Sequence, residues 1–187
     1  MGCSILSRFE KDRQERVLAL LDASGVRLHR LLGRLTLGED VVGDLVQELF
    51  IRLSRSSGFD RAKDPWAYAY RAAINLAFEW RRKATKVRFE SLDADCLPMG
   101  NIASPLAAMV RAEEVERVLD AVGRLRGLAR EVVVMRYIEQ ETYEAIAGRL
   151  GKKPQHVRSV CAKGLARLRE LLTGESSLPA GKEKSNG

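Results

Sequence analysis

The run TYEAIAGRLGKKPQHVRSVCAKGLARLRELL, from Thr142 to Leu172, limits most strongly what this chain can fold into. Tyr143, Ile146, Ala147 and Leu150 recur at the helical period, Gly151 interrupts them, and Val157, Val160, Leu165 and Leu168 resume the stripe. Two helices joined this tightly cross steeply. Nothing larger than Ala fits where they touch, and the turn favours a residue that accepts positive φ. Ala147, Gly151 and Val157 stand at the fifth, ninth and fifteenth places of a helix-turn-helix frame. Pro154 suits the first turn of the second helix, where its missing N–H would go unpaired anyway. The open face of that helix carries Lys153, Gln155, His156, Arg158, Ser159 and Lys163. Such donors reach phosphates and base edges when a helix enters a major groove. The plainer alternative is an amphipathic hairpin with a solvated basic face.

A chain of 187 residues suits one compact domain or two small ones. Its net charge of +7 favours a polyanionic partner. The three cysteines, Cys3, Cys96 and Cys161, lie far apart with no CxxC pair, and His29 and His156 are equally scattered. No metal site assembles from such spacing, and free thiols in a reducing cytosol are expected. Met1-Gly2-Cys3 precedes no long apolar run, and Leu6 stands where myristoylation wants Ser or Thr. The expectation is a cytoplasmic protein without membrane span, metal or other cofactor.

Upstream, helices are expected over Arg8–Leu21 (Phe9, Val17, Leu18 and Leu21 apolar) and, after Gly25, from Val26 to Leu35, with Gly38 as the stop. A third, from Glu39 to Arg55, buries Val42, Leu45, Val46, Leu49, Phe50 and Leu53. Its other face holds Asp44, Gln47, Glu48 and Arg52. An acidic, polar face on a basic protein is not built for DNA; it is plain solvent surface or a docking face for a protein. Ser56–Asp64 reads as a loop. The fourth helix, Pro65–Lys83, gathers Trp66, Tyr68, Tyr70, Phe78 and Trp80 and ends on Arg81, Arg82 and Lys83. Rings and cations along one helix hold unstacked bases while neutralising phosphates, although Tyr70 and Phe78 suit a core. Asn75, among apolar neighbours, needs a hydrogen-bond partner inside the protein or on a base. Asp93–Ser104 has no helical stripe. Beyond it, a helix from Pro105 to Gly123 carries the stripe Leu106, Met109, Val110, Val115, Val118, Leu119 and Val122, and Leu128–Tyr137 forms the next.

DLVQELFIRL, YAYRAAINLAFEWRRK and RFESLD resemble region 2 of bacterial sigma factors of the small extracytoplasmic-function type. LRGLAREVVVMRYIEQETYEAIAGRLG through LARLREL resembles region 4. The resemblance implies an all-α fold: a region 2-like domain over 8–92, a linker at 93–104, a region 4-like helix-turn-helix domain over 105–172 and a disordered tail at 173–187. It implies that Asp44, Gln47 and Glu48 dock on the β′ clamp of RNA polymerase. The Ser56–Asp64 loop with Tyr68, Arg71 and Asn75 would capture the non-template strand of a −10-type element, and Arg82 and Lys83 would hold backbone nearby. Lys153, Gln155, His156, Arg158, Ser159 and Lys163 would engage a −35-type element. Implied partners are the polymerase core (β′ clamp and β flap), promoter DNA and an anti-sigma factor. Tyr68 occupies a place where the family usually has Trp, and Ile74 one where many members carry Arg. Lys153 replaces a Ser/Thr cap worth roughly 1 kcal/mol. Val160, where Arg is common, is assigned to packing.

Two functions follow. A sigma factor, not an enzyme, selects promoters and opens them with binding energy to unpaired bases. The alternative is a helix-turn-helix regulator that dimerises on duplex DNA, with half-sites about one turn apart. The aromatic and cationic fourth helix favours the first, because a duplex-only binder has no use for it.

Overall fold

The computed structural model describes residues 2–90 and 105–175. The chain divides into two compact units, Met1–Cys96 and Leu97–Gly187. In the first lie α1 (Gly2–Thr36), α2 (Val42–Arg55), α3 (Ser57–Asp60) and α4 (Pro65–Glu90). In the second lie α5 (Pro105–Arg124), α6 (Leu128–Val133), a π-helical turn at Val134–Ile138, α7 (Tyr143–Leu150) and α8 (Pro154–Glu175). The proposed linker at 93–104, the SLD of RFESLD and the tail beyond Glu175 fall outside the described residues, as do the side chains of Cys3, Phe9, Arg88, Leu106 and Met109.

The first unit departs from expectation at its start, where one helix replaces two. Gly25 does not break α1. A glycine inside a helix is worse than alanine by about 1 kcal/mol. Burying one leucine is worth about 1.5–3 kcal/mol, and Leu28, Leu31, Leu32 and Leu35 just beyond it are all fully buried. Packing outweighs propensity. Leu18 and Val26, assigned to the apolar stripes, are 55% and 67% exposed. A continuous helix turns them away from α2 and α4, against which α1 packs. Nor does Gly38 supply the left-handed stop: Leu37 does, with φ 59°. The Thr36 hydroxyl secures this turn, lying 2.9 Å from the Leu32 carbonyl and 3.2 Å from that of Gly38.

Leu45, Leu49 and Leu53 of α2 and Tyr70, Ala73, Ile74, Ala77 and Phe78 of α4 complete this core. Ile74 is fully buried, so this side chain packs in the core and faces no DNA. Arg81 also turns inward, at 5% exposure, and donates to the Leu35 carbonyl at 3.4 Å. That carbonyl is in the last turn of α1, where unpaired oxygens and the helix dipole attract a cation.

The second unit is built around α8, on which α5, α6 and α7 pack. Its core is Leu119, Val122, Val132, Val133, Met135, Ile146, Val157, Cys161 and Leu168. Val110, Val115 and Val118, expected in the buried stripe of α5, are instead 48%, 44% and 44% exposed. Leu119, Ala121 and Val122, towards the end of α5, are the residues that go inside. At Gly164 a Cβ would sit 3.0 Å from Val133 Cγ2, so the glycine sets how closely α8 approaches α6.

Candidate nucleic-acid and polymerase interfaces

The helix-turn-helix is assembled by three local devices. Thr142 caps α7, its hydroxyl accepting the Ala145 N–H at 3.2 Å. Gly151 closes α7 at φ 60°, in the left-handed region. The Lys152 N–H reaches the Ala147 carbonyl at 2.9 Å and the Gly151 N–H that of Gly148 at 3.4 Å. These paired bonds form the glycine-closed helix end in which the last free carbonyls are satisfied. Third, the Lys153 carbonyl accepts the N–H groups of His156 and Val157 at 3.0 and 3.1 Å, so Pro154 is the first residue of α8. Ala147 is 2% exposed and Val157 fully buried, which fixes the crossing of α7 and α8 as their side-chain sizes require.

That crossing leaves Lys153, just before α8, and Gln155, His156, Arg158, Ser159 and Lys163 along it all exposed. Arg158 is the one held by α7: it donates to Glu144 Oε1 at 2.7 Å and lies 5.6 Å from the centroid of the Tyr143 ring. Val160 is half-buried, in keeping with a packing role.

In the first unit, Asp44 and Gln47 are exposed on α2, but Glu48 has a second occupation. Arg52 donates Nε to Glu48 Oε1 at 2.8 Å and a second N–H to Glu79 Oε2 at 2.7 Å, tying α2 to α4. The two carboxylates raise the Arg52 pKa further above its ordinary value, Glu48 foremost. Periodicity placed Arg52 and Glu48 on one face; it could not place Glu79 beside them.

The Ser56–Asp64 segment is not a bare loop. It contains the single turn α3, whose Phe59 is fully buried. Arg13 of α1 donates Nε to Asp60 Oδ2 at 2.6 Å and an NH1 proton to the Ser54 carbonyl at 3.2 Å. Arg16 adds a 3.5 Å contact to Asp60 and lies 5.5 Å from the Phe59 centroid. These arginines escaped sequence reading, because Asp60 is more than forty positions away along the chain. Replacing Asp60 by Ala should lower stability by about 1–3 kcal/mol, since Arg13 loses its charged partner in a mostly covered site. Thermal melting checks this; an unchanged midpoint would demote the clamp to an ordinary surface pair.

Tyr68 packs edge-on to Phe59, ring centroids 6.1 Å apart, and its hydroxyl is 2.7 Å from Ser56 Oγ. It is half-buried and braces the α3 segment from α4. Trp66 is half-buried too, with the Arg27 guanidinium 5.3 Å from its centroid. Tyr70 and Phe78 belong to the core, each 1% exposed. Arg71, Arg82 and Lys83 are exposed and Asn75 is half-buried, so the outward side of α4 presents cations beside part-covered rings.

The architecture defines a class: an all-α protein with a helix-turn-helix in one unit and, in the other, a helical bundle bearing a polar face on α2 and exposed cations along α4. The Sigma-70 region 2 model matches residues 20–87 and the Sigma-70, region 4 model matches residues 121–170. The chain is 31% identical over 153 residues to the ECF RNA polymerase sigma factor SigE of Mycolicibacterium smegmatis, covering 81% of this chain and 59% of that protein's length. It is 32% identical over 132 residues to the RNA polymerase sigma-E factor of Streptomyces antibioticus, covering 69% of each. Among solved structures it is similar to the sigma factor RpoE in complex with the anti-sigma factor NepR from Bartonella quintana, at 20% identity and TM-score 0.43 over 87% of this chain and 98% of that one. The chain belongs to the extracytoplasmic-function branch of the sigma-70 family, transcription initiation factors that direct RNA polymerase to promoters. Among the described residues no helix is long and apolar enough to cross a membrane.

Proposed function

We propose that this chain is a dissociable promoter-selecting subunit of RNA polymerase, acting in the cytoplasm by binding alone and catalysing no reaction. Exposed Asp44 and Gln47 dock on the polymerase β′ clamp; Glu48 contributes at the edge of that face while holding Arg52. The α3 segment, braced by Tyr68 and clamped through Asp60, captures the separated non-template strand with Arg71 and Asn75. Arg82 and Lys83 neutralise the neighbouring backbone. Binding to unpaired bases then offsets the cost of opening the duplex, with no nucleotide hydrolysed.

In the other unit α8 enters a major groove. Gln155, His156, Arg158 and Ser159 face base edges, while Lys153 and Lys163 meet phosphates as flexible point charges. The observation that carries this reading is the polar face of α8, wholly exposed yet held on a closely packed α7–α8 crossing. The test is Gln155→Ala in run-off transcription with reconstituted polymerase on a library randomised in the upstream element. Discrimination at one position is expected to fall by about 1–3 kcal/mol. A uniform loss across all sequences, with the salt dependence unchanged because glutamine carries no charge, would make Gln155 a phosphate contact instead.

A further inference from the structure

We propose that Glu144 and Tyr143 of α7 are positioning residues that set the Arg158 guanidinium for base recognition and thereby help determine promoter specificity. The proposal rests on α8 reading the upstream element, as above. Arg158 is held from two directions: Glu144 Oε1 accepts its N–H at 2.7 Å, and the Tyr143 ring lies 5.6 Å away. An exposed ion pair alone would be a loose constraint, since these side chains are 53% and 60% exposed. The ring makes the difference, because it is fixed from the core. The Tyr143 hydroxyl donates to Sγ of buried Cys161 at 3.7 Å. The Arg136 guanidinium lies 4.8 Å from the same ring and is itself pinned by a 2.8 Å bond to the Glu141 carbonyl. A series of contacts therefore runs from the interior of the second unit to one side chain on its open face.

The chemistry explains why an arginine would be treated this way. A lysine meeting a phosphate needs little placement, whereas a guanidinium reading a guanine edge must present two N–H groups in one plane. Glu144 takes one of the five N–H donors and leaves the others for a base. Its carboxylate also offsets the arginine's charge, so Arg158 adds little to sequence-independent attraction. The Cys161 bond, then burial, hold the Tyr143 pKa above its ordinary value. Glu144 and Tyr143 thus act on specificity, not on bulk affinity.

The experiment is a double-mutant cycle on the full chain, reconstituted with bacterial core RNA polymerase and assayed by run-off transcription from promoters randomised in the upstream element. Arg158→Ala should flatten preference at one base pair by about 5- to 150-fold. Glu144→Gln should flatten the same position by about threefold, on the scale of direct side-chain couplings. In the Arg158→Ala background it should add nothing. Melting temperatures near that of the parent chain would separate positioning from simple support of the fold. An effect of Glu144→Gln that persists without Arg158, or no effect on preference at all, overturns the proposal while leaving Arg158 a reader. If Arg158→Ala leaves the preference unchanged, the assignment of Arg158 to base recognition falls, and the positioning role with it.

Discussion

Lysine at both positions 44 and 47 is expected to abolish capture of core RNA polymerase by the tagged chain. Asp44→Lys changes the local charge by two units and Gln47→Lys adds one more, on side chains exposed on one helix. A face that docks through its acidic and polar character then meets its partner with like charge, which costs several kcal/mol. Each 1.4 kcal/mol is tenfold in affinity, so a loss of about a thousandfold is the scale to look for. Glu48 is deliberately left in place. Reversing it would also break the bond to Arg52 that joins α2 to Glu79 of α4, and a weakened fold would then imitate a weakened interface. The double variant should keep its helical circular dichroism. Undiminished co-purification with core polymerase would remove this face from the mechanism.

Val157→Asp should unfold the second unit. Val157 has no exposed surface and lies in α8, which packs on α7, where Ile146 and Ala147 are buried too. A carboxylate there must ionise without a partner or stay protonated against its ordinary pKa, a penalty of several kcal/mol either way. Whole domains are stable by only about 5–15 kcal/mol. Val157→Ala, which removes two methyl groups and leaves a small void, should cost less and permit folding. The expected readout for Val157→Asp is loss of roughly the second unit's share of helical signal, with loss of promoter recognition. Polymerase capture through α2 should survive, because the first unit has its own core from Val17 to Phe78. A cooperative melt at the parental temperature would show that the crossing tolerates charge and is not the closely packed contact described.

The residues that fill the two cores were largely legible, and so was the helix-turn-helix. Ala147, Gly151, Pro154 and Val157 act through size, positive φ, a missing N–H and apolarity, which are properties of single residues at fixed spacing. Tyr70 and Phe78 were assigned to the core on the same grounds and are buried there. The failures had a common cause. Gly25 looked like a break because propensity is local, whereas the four leucines that overrule it act through contacts with α2 and α4. Val110, Val115 and Val118 continue a helical stripe, but a stripe does not report how far along its length a partner extends.

What the sequence determined by itself was the class of fold, the apolar faces that drive it and the polar face exposed at the start of α8, because periodicity depends only on the rise and turn of a helix. Tertiary structure alone decided which polar residues are free and which are engaged. Arg81 turns to a carbonyl of α1, Glu48 shares Arg52 with Glu79, Asp60 is gripped by Arg13, and Arg158 is held by Glu144 and Tyr143. Each of these pairings joins separate helices, and hydrogen bonds of 2.6–3.4 Å depend on where backbones come to rest, which no spacing along a single helix encodes.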